Sequence, residues 1–342
     1  MTSIELGLDT FGDVTSSADG VPLTHAQVLR NVVEEAVLAD TLGIDFIGIG
    51  EHHRADFAVS APEILLAAAA VRTTRIRLGS AVTVLSSDDP IRVFQRFSSI
   101  NALSNGRAEV ILGRGSFTES FPLFGFALRD YETLFEEKLE IFAALVSQKS
   151  VNWKGTIRPP LTNQQVFPPI ETGSLRTWIG VGGSPESVVR AARHNLPLML
   201  AIIGGDPKRF VPYVDLSKRA YDQLKLPMQA IGVHSPGYVA DTDEQARAEF
   251  WPDYKRMRDQ IGAERGWPPM EASEFRQEID HGSLYVGSPE TVARKIAATI
   301  KALDVGRFDL KYSAGPLPHE KLMHCIELYG TKVAPMVRDL LA

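Results

Sequence analysis

Glu51, His52 and His53 stand in a row directly after the apolar run Phe46–Ile49. An imidazole titrates near neutral pH, as a general acid or base must. A short buried strand that stops abruptly in one carboxylate and two imidazoles places them at the mouth of a core, where α/β enzymes keep their chemistry. A blander reading makes one of the two histidines a packed, hydrogen-bonded residue. A metal centre is the chemical rival. The first strand ends in Asp9-Thr10-Phe11 with no paired histidine, and His234 could reach the same mouth. No third ligand joins them, and a metal-dependent hydrolase needs several converging from different strand ends.

Two further segments are built to receive an anion. Gly113-Arg114-Gly115-Ser116 presents a guanidinium, which binds phosphate bidentately, between glycines that expose backbone N–H groups. Gly180-Val181-Gly182-Gly183-Ser184-Pro185-Glu186-Ser187 is a glycine-rich turn that feeds a helix N-terminus. It is not a dinucleotide fingerprint, because Pro185 occupies the third glycine position. Each segment alone is as readily a plain turn. Two on one face imply a phosphate-bearing cofactor. Gly287-Ser288-Pro289-Glu290 reads as an ordinary helix cap, and neither a nucleophile elbow nor a phosphate-binding P-loop is present.

Strand-like and helix-like runs alternate around these segments. Strands are expected at Ile4–Asp9, Phe46–Gly50, Ile76–Val84, Ala108–Gly113, Thr177–Gly182, Leu198–Ile203, Ala230–Ala240 and Phe308–Ser313. Most are continuous aliphatic runs, so both faces are buried, as in a parallel sheet. Thr24, Asp89-Pro90, Ser184-Pro185 and Ser288-Pro289 open helices with a capping side chain or an N1 proline. Eight such strands alternating with helices is the count of a (β/α)8 TIM barrel; a doubly wound open sheet is the alternative. Insertions at the rim are expected at about 150–173, as an irregular hairpin, and at about 242–287, as charged helices. Ser116–Asp130 is expected to form a mobile aromatic cover over the mouth, carrying Phe117, Phe121, Phe124 and Phe126.

The bulk numbers fit about two average domains or one large α/β barrel: 342 residues, 44% hydrophobic, 23% charged, net charge −6. With no basic run, nucleic acid and anionic membrane are unexpected partners. The N-terminus lacks the pattern of a signal peptide, and no apolar run is long enough to span a bilayer. The single cysteine, Cys325, reads as a small buried hydrophobe. These features suit a cytoplasmic location.

Taken together, several segments resemble the bacterial luciferase-like flavin-dependent monooxygenases. They are Glu51-His52-His53, Gly79–Leu85 leading to Asp89-Pro90-Ile91-Arg92, Leu103–Arg107, Gly113-Arg114-Gly115, and the glycine-rich turn with Leu196-Pro197-Leu198-Met199. The resemblance implies a barrel that binds reduced FMN at its C-terminal face and uses O2 to oxygenate a small organic substrate. It implies that Arg114 and the backbone of Gly182, Gly183 and Ser184 hold the flavin phosphate. Glu51, Ala81 and Val82 would lie near the flavin ring, with a cis peptide between Ala81 and Val82. His52, with His53, would be the acid/base candidate. A separate NAD(P)H:flavin reductase and a homodimer built near Ala61–Val71 are implied as well. This chain has Gly113 where luciferase has a reactive cysteine, and Gly182-Gly183 where luciferase has a Glu-Ser pair, so light emission is not implied. A deazaflavin- or NAD(P)H-linked oxidoreductase and a non-catalytic flavin-binding protein are the alternatives.

Overall fold

A computed structural model describes residues 4–147 and 150–342. Met1–Ser3, part of the segment read for a leader, and Gln148–Lys149 lie outside it. Eight parallel strands close into a barrel: β1 (Glu5–Thr10), β2 (Phe46–Ile49), β3 (Arg77–Ser80), β4 (Ala108–Gly113), β5 (Arg176–Val181), β6 (Leu198–Ala201), β7 (Ile231–Val239) and β8 (Arg307–Lys311). Closure comes from the β8–β1 register, in which Leu6 faces Phe308 and Leu8 faces Leu310. Alternating residues point inward or against the surrounding helices, and both sets are buried.

The helices start where their capping residues stand. In α1 (His25–Thr41) the Thr24 side chain accepts from the Gln27 N–H. After α2 (Pro62–Ala70), α3 (Pro90–Leu103) is capped by Asp89, which accepts from Ile91 and Arg92. α4 (Tyr131–Ser147) is followed by α5 (Pro185–Arg193), capped by Ser184, and α6 (Val211–Leu224). α7 (Asp243–Arg265) and α8 (Ala272–Asp280) are the charged helices of the second insertion. α9 (Pro289–Leu303) is capped by Ser288, the role read for it in the sequence.

The first insertion is the expected hairpin, Val151–Trp153 against Leu161–Gln164. The run Ile76–Val84 departs from its expected form. It is one strand in the sequence but two pieces here, with Thr83–Val84 beyond β3 pairing with β4. The interruption is the cis peptide between Ala81 and Val82. Cys325 is buried, and its sulfur accepts the Val239 N–H at 3.2 Å.

A layer of charge seals the barrel at the strands' N-terminal ends. Glu109 and Arg307 are 0% and 1% exposed, and Arg307 Nη1 donates to Glu109 at 2.7 Å. Arg77 and Arg176 pair with the same carboxylate, Trp178 Nε1 donates to it, and Arg307 also grips Asp309. The Arg307 guanidinium stacks 3.6 Å from the centroid of Phe46. Burial pushes the Glu109 carboxyl up, but the three arginines outweigh it and hold it down at about 2.

Candidate active site at the barrel mouth

A cavity of about 200 Å³ lies at the C-terminal ends of the strands. Glu51, His52, His53, Ala81 and Val82, all expected from the sequence, line it. Their placement follows from close backbone packing. A Cβ on Gly48 would meet that of Ala81 at 2.7 Å, and one on Gly113 would meet Val82 Cγ2 at 2.5 Å. Val82 therefore fills the space that any side chain at position 113 would need.

The two histidines have different partners. His52 Nδ1 lies 3.3 Å from Glu119 Oε1, and its ring meets Phe57 and Phe117 at centroid distances of 4.4 and 4.6 Å. Burial raises the Glu119 carboxyl, but the His52 hydrogen bond and backbone N–H groups hold it below the usual carboxylate range. His53 Nε2 is 3.8 Å from Glu51, too far for a hydrogen bond, and is buried without another partner. The Glu51 carboxylate nonetheless holds the His53 imidazole above its ordinary value, against the effect of burial. Phe124 lies edge-on to His53 at 5.0 Å. The segment Ser116–Asp130 thus rests directly on both imidazoles; it contains a short helix, Ser120–Leu123, and buries Phe121 completely.

The remaining expected residues lie at the rim rather than in the cavity wall. Ser184 Oγ caps α5 through the Ser187 N–H. Gly183 has a positive φ of 123°, and a Cβ on Gly182 would meet nothing within 4 Å. The turn therefore faces open space, a cradle a side chain would fill. Arg114 is joined to this turn through other side chains. It pairs with Glu132, Glu132 with Arg190, and Arg190 Nη1 donates to Ser187 Oγ at 3.0 Å. The Glu132 partner was not foreseen; it leaves Arg114 with one side committed.

The cavity also holds Glu119, for which the sequence suggests no role, and the pair Asp9–His234, which the sequence raises only as metal ligands. Asp9 and His234 close its floor, with His234 Nδ1 2.7 Å from Asp9 Oδ2. Burial pushes the His234 imidazole down, but Asp9 outweighs it and holds the ring above its ordinary value. Glu119 sits within Ser116–Asp130, but only the fold shows that this segment doubles back to His52. Among the described residues no cluster of three or more His, Cys, Asp or Glu could hold a metal ion.

A second, larger chamber of about 660 Å³ adjoins the first and shares Phe11, His52, Phe117, Ile203 and His234 with it. Its outer wall is the second insertion: Tyr254, Met257, Arg258 and Ile261 of α7, then Trp267 and Met270. α7 is tied to the cover, since Arg265 Nη2 donates to the Ser116 carbonyl at 3.2 Å, and Glu264 pairs with Arg54 at 2.6 Å.

With fold and site in view, the chain belongs to the luciferase-like monooxygenase family, whose model matches residues 10–307. It is 27% identical to the 4-hydroxyprotoasukamycin monooxygenase of Streptomyces nodosus subsp. asukaensis, covering 75% of this chain and 72% of that one. The fold is shared with a monooxygenase from Streptomyces bottropensis (TM-score 0.85, 21% identity, 97% and 99% of the two chains). It is also shared with the oxygenating constituent of 3,6-diketocamphane monooxygenase from Pseudomonas putida, a type II Baeyer-Villiger monooxygenase in complex with FMN. There the TM-score is 0.77 at 20% identity, over 98% and 99% of the chains.

Proposed function

We propose that this chain is a flavin-dependent monooxygenase that takes reduced FMN as cosubstrate and oxygenates a small organic molecule with O2. The observation that carries the reading is the form of the mouth: a deep apolar cavity, walled by Ala81–Val82 and His52–Glu119, beside an open glycine cradle at a helix N-terminus. These residues fit FMN. The apolar walls suit the ring system, and the N–H groups around Gly182–Ser184 with Arg114 suit the phosphate. Bound reduced flavin would supply the electrons that activate O2.

The chain's own residues exclude water, orient the substrate and handle the proton. Phe11, Phe57 and Phe117 surround His52 and keep bulk water from it. Glu119 at Nδ1 fixes the His52 ring and leaves Nε2 as the atom that gives or takes a proton in the cavity. The reduced flavin would come from a separate NAD(P)H:flavin reductase.

The test is direct. Purified protein is titrated with FMN and then given reduced FMN, with and without 18O2, over a panel of ketones, aldehydes and aromatic acids. Labelled product only in the presence of O2 is expected. Turnover with a reduced deazaflavin in place of FMN would establish the alternative cofactor. Tight flavin binding with no product from any class would leave a flavin carrier.

A further inference from the structure

The outer chamber holds three guanidinium groups, those of Arg209, Arg258 and Arg265, and none is paired with a carboxylate among the described residues. Elsewhere around the mouth the arginines are matched: Arg54 with Glu264, Arg114 and Arg190 with Glu132. Two of the three unmatched groups have local duties. Arg265 donates to the Ser116 carbonyl and lies over Phe117, and Arg209 donates to the Gly204 carbonyl at 3.1 Å.

Arg258 has none. Its guanidinium lies 4.6 Å from the centroid of Trp267, and its Nη1 is buried with no hydrogen-bond partner. The group sits in a niche made by Gly262, where a Cβ would come within 2.8 Å of Nη1. Nη1 itself packs against Gly262, while the rest of the half-buried guanidinium lines the chamber and has no acceptor within the described residues, which leaves it free to take one from a ligand. The other charges of the chamber do not supply it. Glu278 accepts from the N–H groups of Gly205 and Ser283, Lys311 pairs with Asp13, and Glu274 is exposed and pairs with none of the arginines. Around Arg258 the walls are apolar: Tyr254, Met257, Ile261 and Met270, continuing inward to Phe117 and Ile203.

We propose that the substrate is an apolar carboxylic acid whose carboxylate is taken by Arg258 in the outer chamber while its apolar end extends to His52 and His234, where the outer chamber meets the inner cavity. That the ligand is the substrate rests on the monooxygenase reading; that it binds does not. A guanidinium stacked on an indole is preorganised for a planar carboxylate, and the charge-assisted contact favours the acid over a neutral molecule of equal length.

Binding of phenylhexanoate and phenylhexanol to the flavin-free protein, followed by titration calorimetry, tests this. The acid is expected to bind about tenfold more tightly than the alcohol, one charge-assisted contact's worth. Arg258→Gln should abolish that preference, and Arg258→Lys should keep part of it. Gly262→Ala, which evicts the guanidinium from its niche, should weaken the acid alone. Circular dichroism checks that each variant is folded. Equal binding of acid and alcohol, no binding of either, or a preference that survives Arg258→Gln would overturn the assignment. FMN titration of the same samples separates the two readings. Lost flavin binding with the acid preference intact would count against the cofactor and leave the carboxylate site standing.

Discussion

Position, more than residue type, separates the two adjacent histidines. His52 faces Glu119 and the aromatic cluster of Phe11, Phe57 and Phe117, whereas His53 turns toward Glu51 and Phe124. A well-placed acid/base contributes about 10²–10⁴-fold to turnover. His52→Ala is therefore expected to retain FMN affinity within a few fold while losing most activity, and Glu119→Gln to show a milder version of the same pattern. Steady-state kinetics beside FMN titration measure both. A normal His52→Ala enzyme beside an inactive His53→Ala one would reverse the assignment. Legibility at this scale was uneven. Residues at strand ends, such as Glu51, His52 and Val82, could be read because the end of an apolar run marks the mouth. Glu119 could not, since its importance comes from a loop returning across 67 residues to His52. The Asp9–His234 contact is likewise a product of barrel closure, joining β1 to β7, and no local pattern announces it.

Elements set what the mouth can admit. The inner cavity, at about 200 Å³, is smaller than typical ligand pockets of roughly 300–1,000 Å³. Phe117 and Phe124 rest on the histidines, so the segment Ser116–Asp130 is expected to lift when a flavin enters and to settle again afterwards. Hydrogen exchange in Phe117–Phe126 is expected to be fast in the free protein and to slow when FMN is added; identical rates in the two states would argue for a fixed rim. The turn before α5 gives a second test. Because a Cβ on Gly182 meets open space, Gly182→Val should leave the melting temperature nearly unchanged yet cost FMN at least about tenfold in affinity, one strong phosphate contact's worth. Equal affinity would place the phosphate elsewhere. The elements themselves were largely readable from aliphatic runs and from caps such as Ser184 and Ser288. The break in Ile76–Val84 was foreseen only through the resemblance, which implies the cis Ala81–Val82 peptide found there; the run itself looks alike whether its pairing is continuous or interrupted.

The whole molecule has an exposed apolar face and a charged base. Ile64 and Val71, on and just after α2, are 72% and 66% exposed, and Leu103 at the end of the neighbouring α3 is 51% exposed. We propose that a second copy covers this face. Light scattering at micromolar concentration should give the mass of a dimer, and Ile64→Glu should shift it to that of a monomer; a monomeric parent protein would exclude the pairing. At the base, Arg307→Met would leave Glu109 and Asp309 buried without their main partner, a loss of about 3–5 kcal/mol in urea unfolding. Glu109 is depressed in the folded state, so its contribution is complete above the ordinary glutamate value of 4.5 and fades as pH falls through that value toward about 2. Acid titration of stability should show that loss in the parent protein and a smaller one in Arg307→Met. The same sealed base imposes an order on traffic. A barrel stopped at the bottom by salt-bridged side chains is entered from the mouth, so on the proposed reading cofactor and substrate would share that opening. A ligand held in the outer chamber would then stand as gatekeeper to everything in the inner cavity behind it.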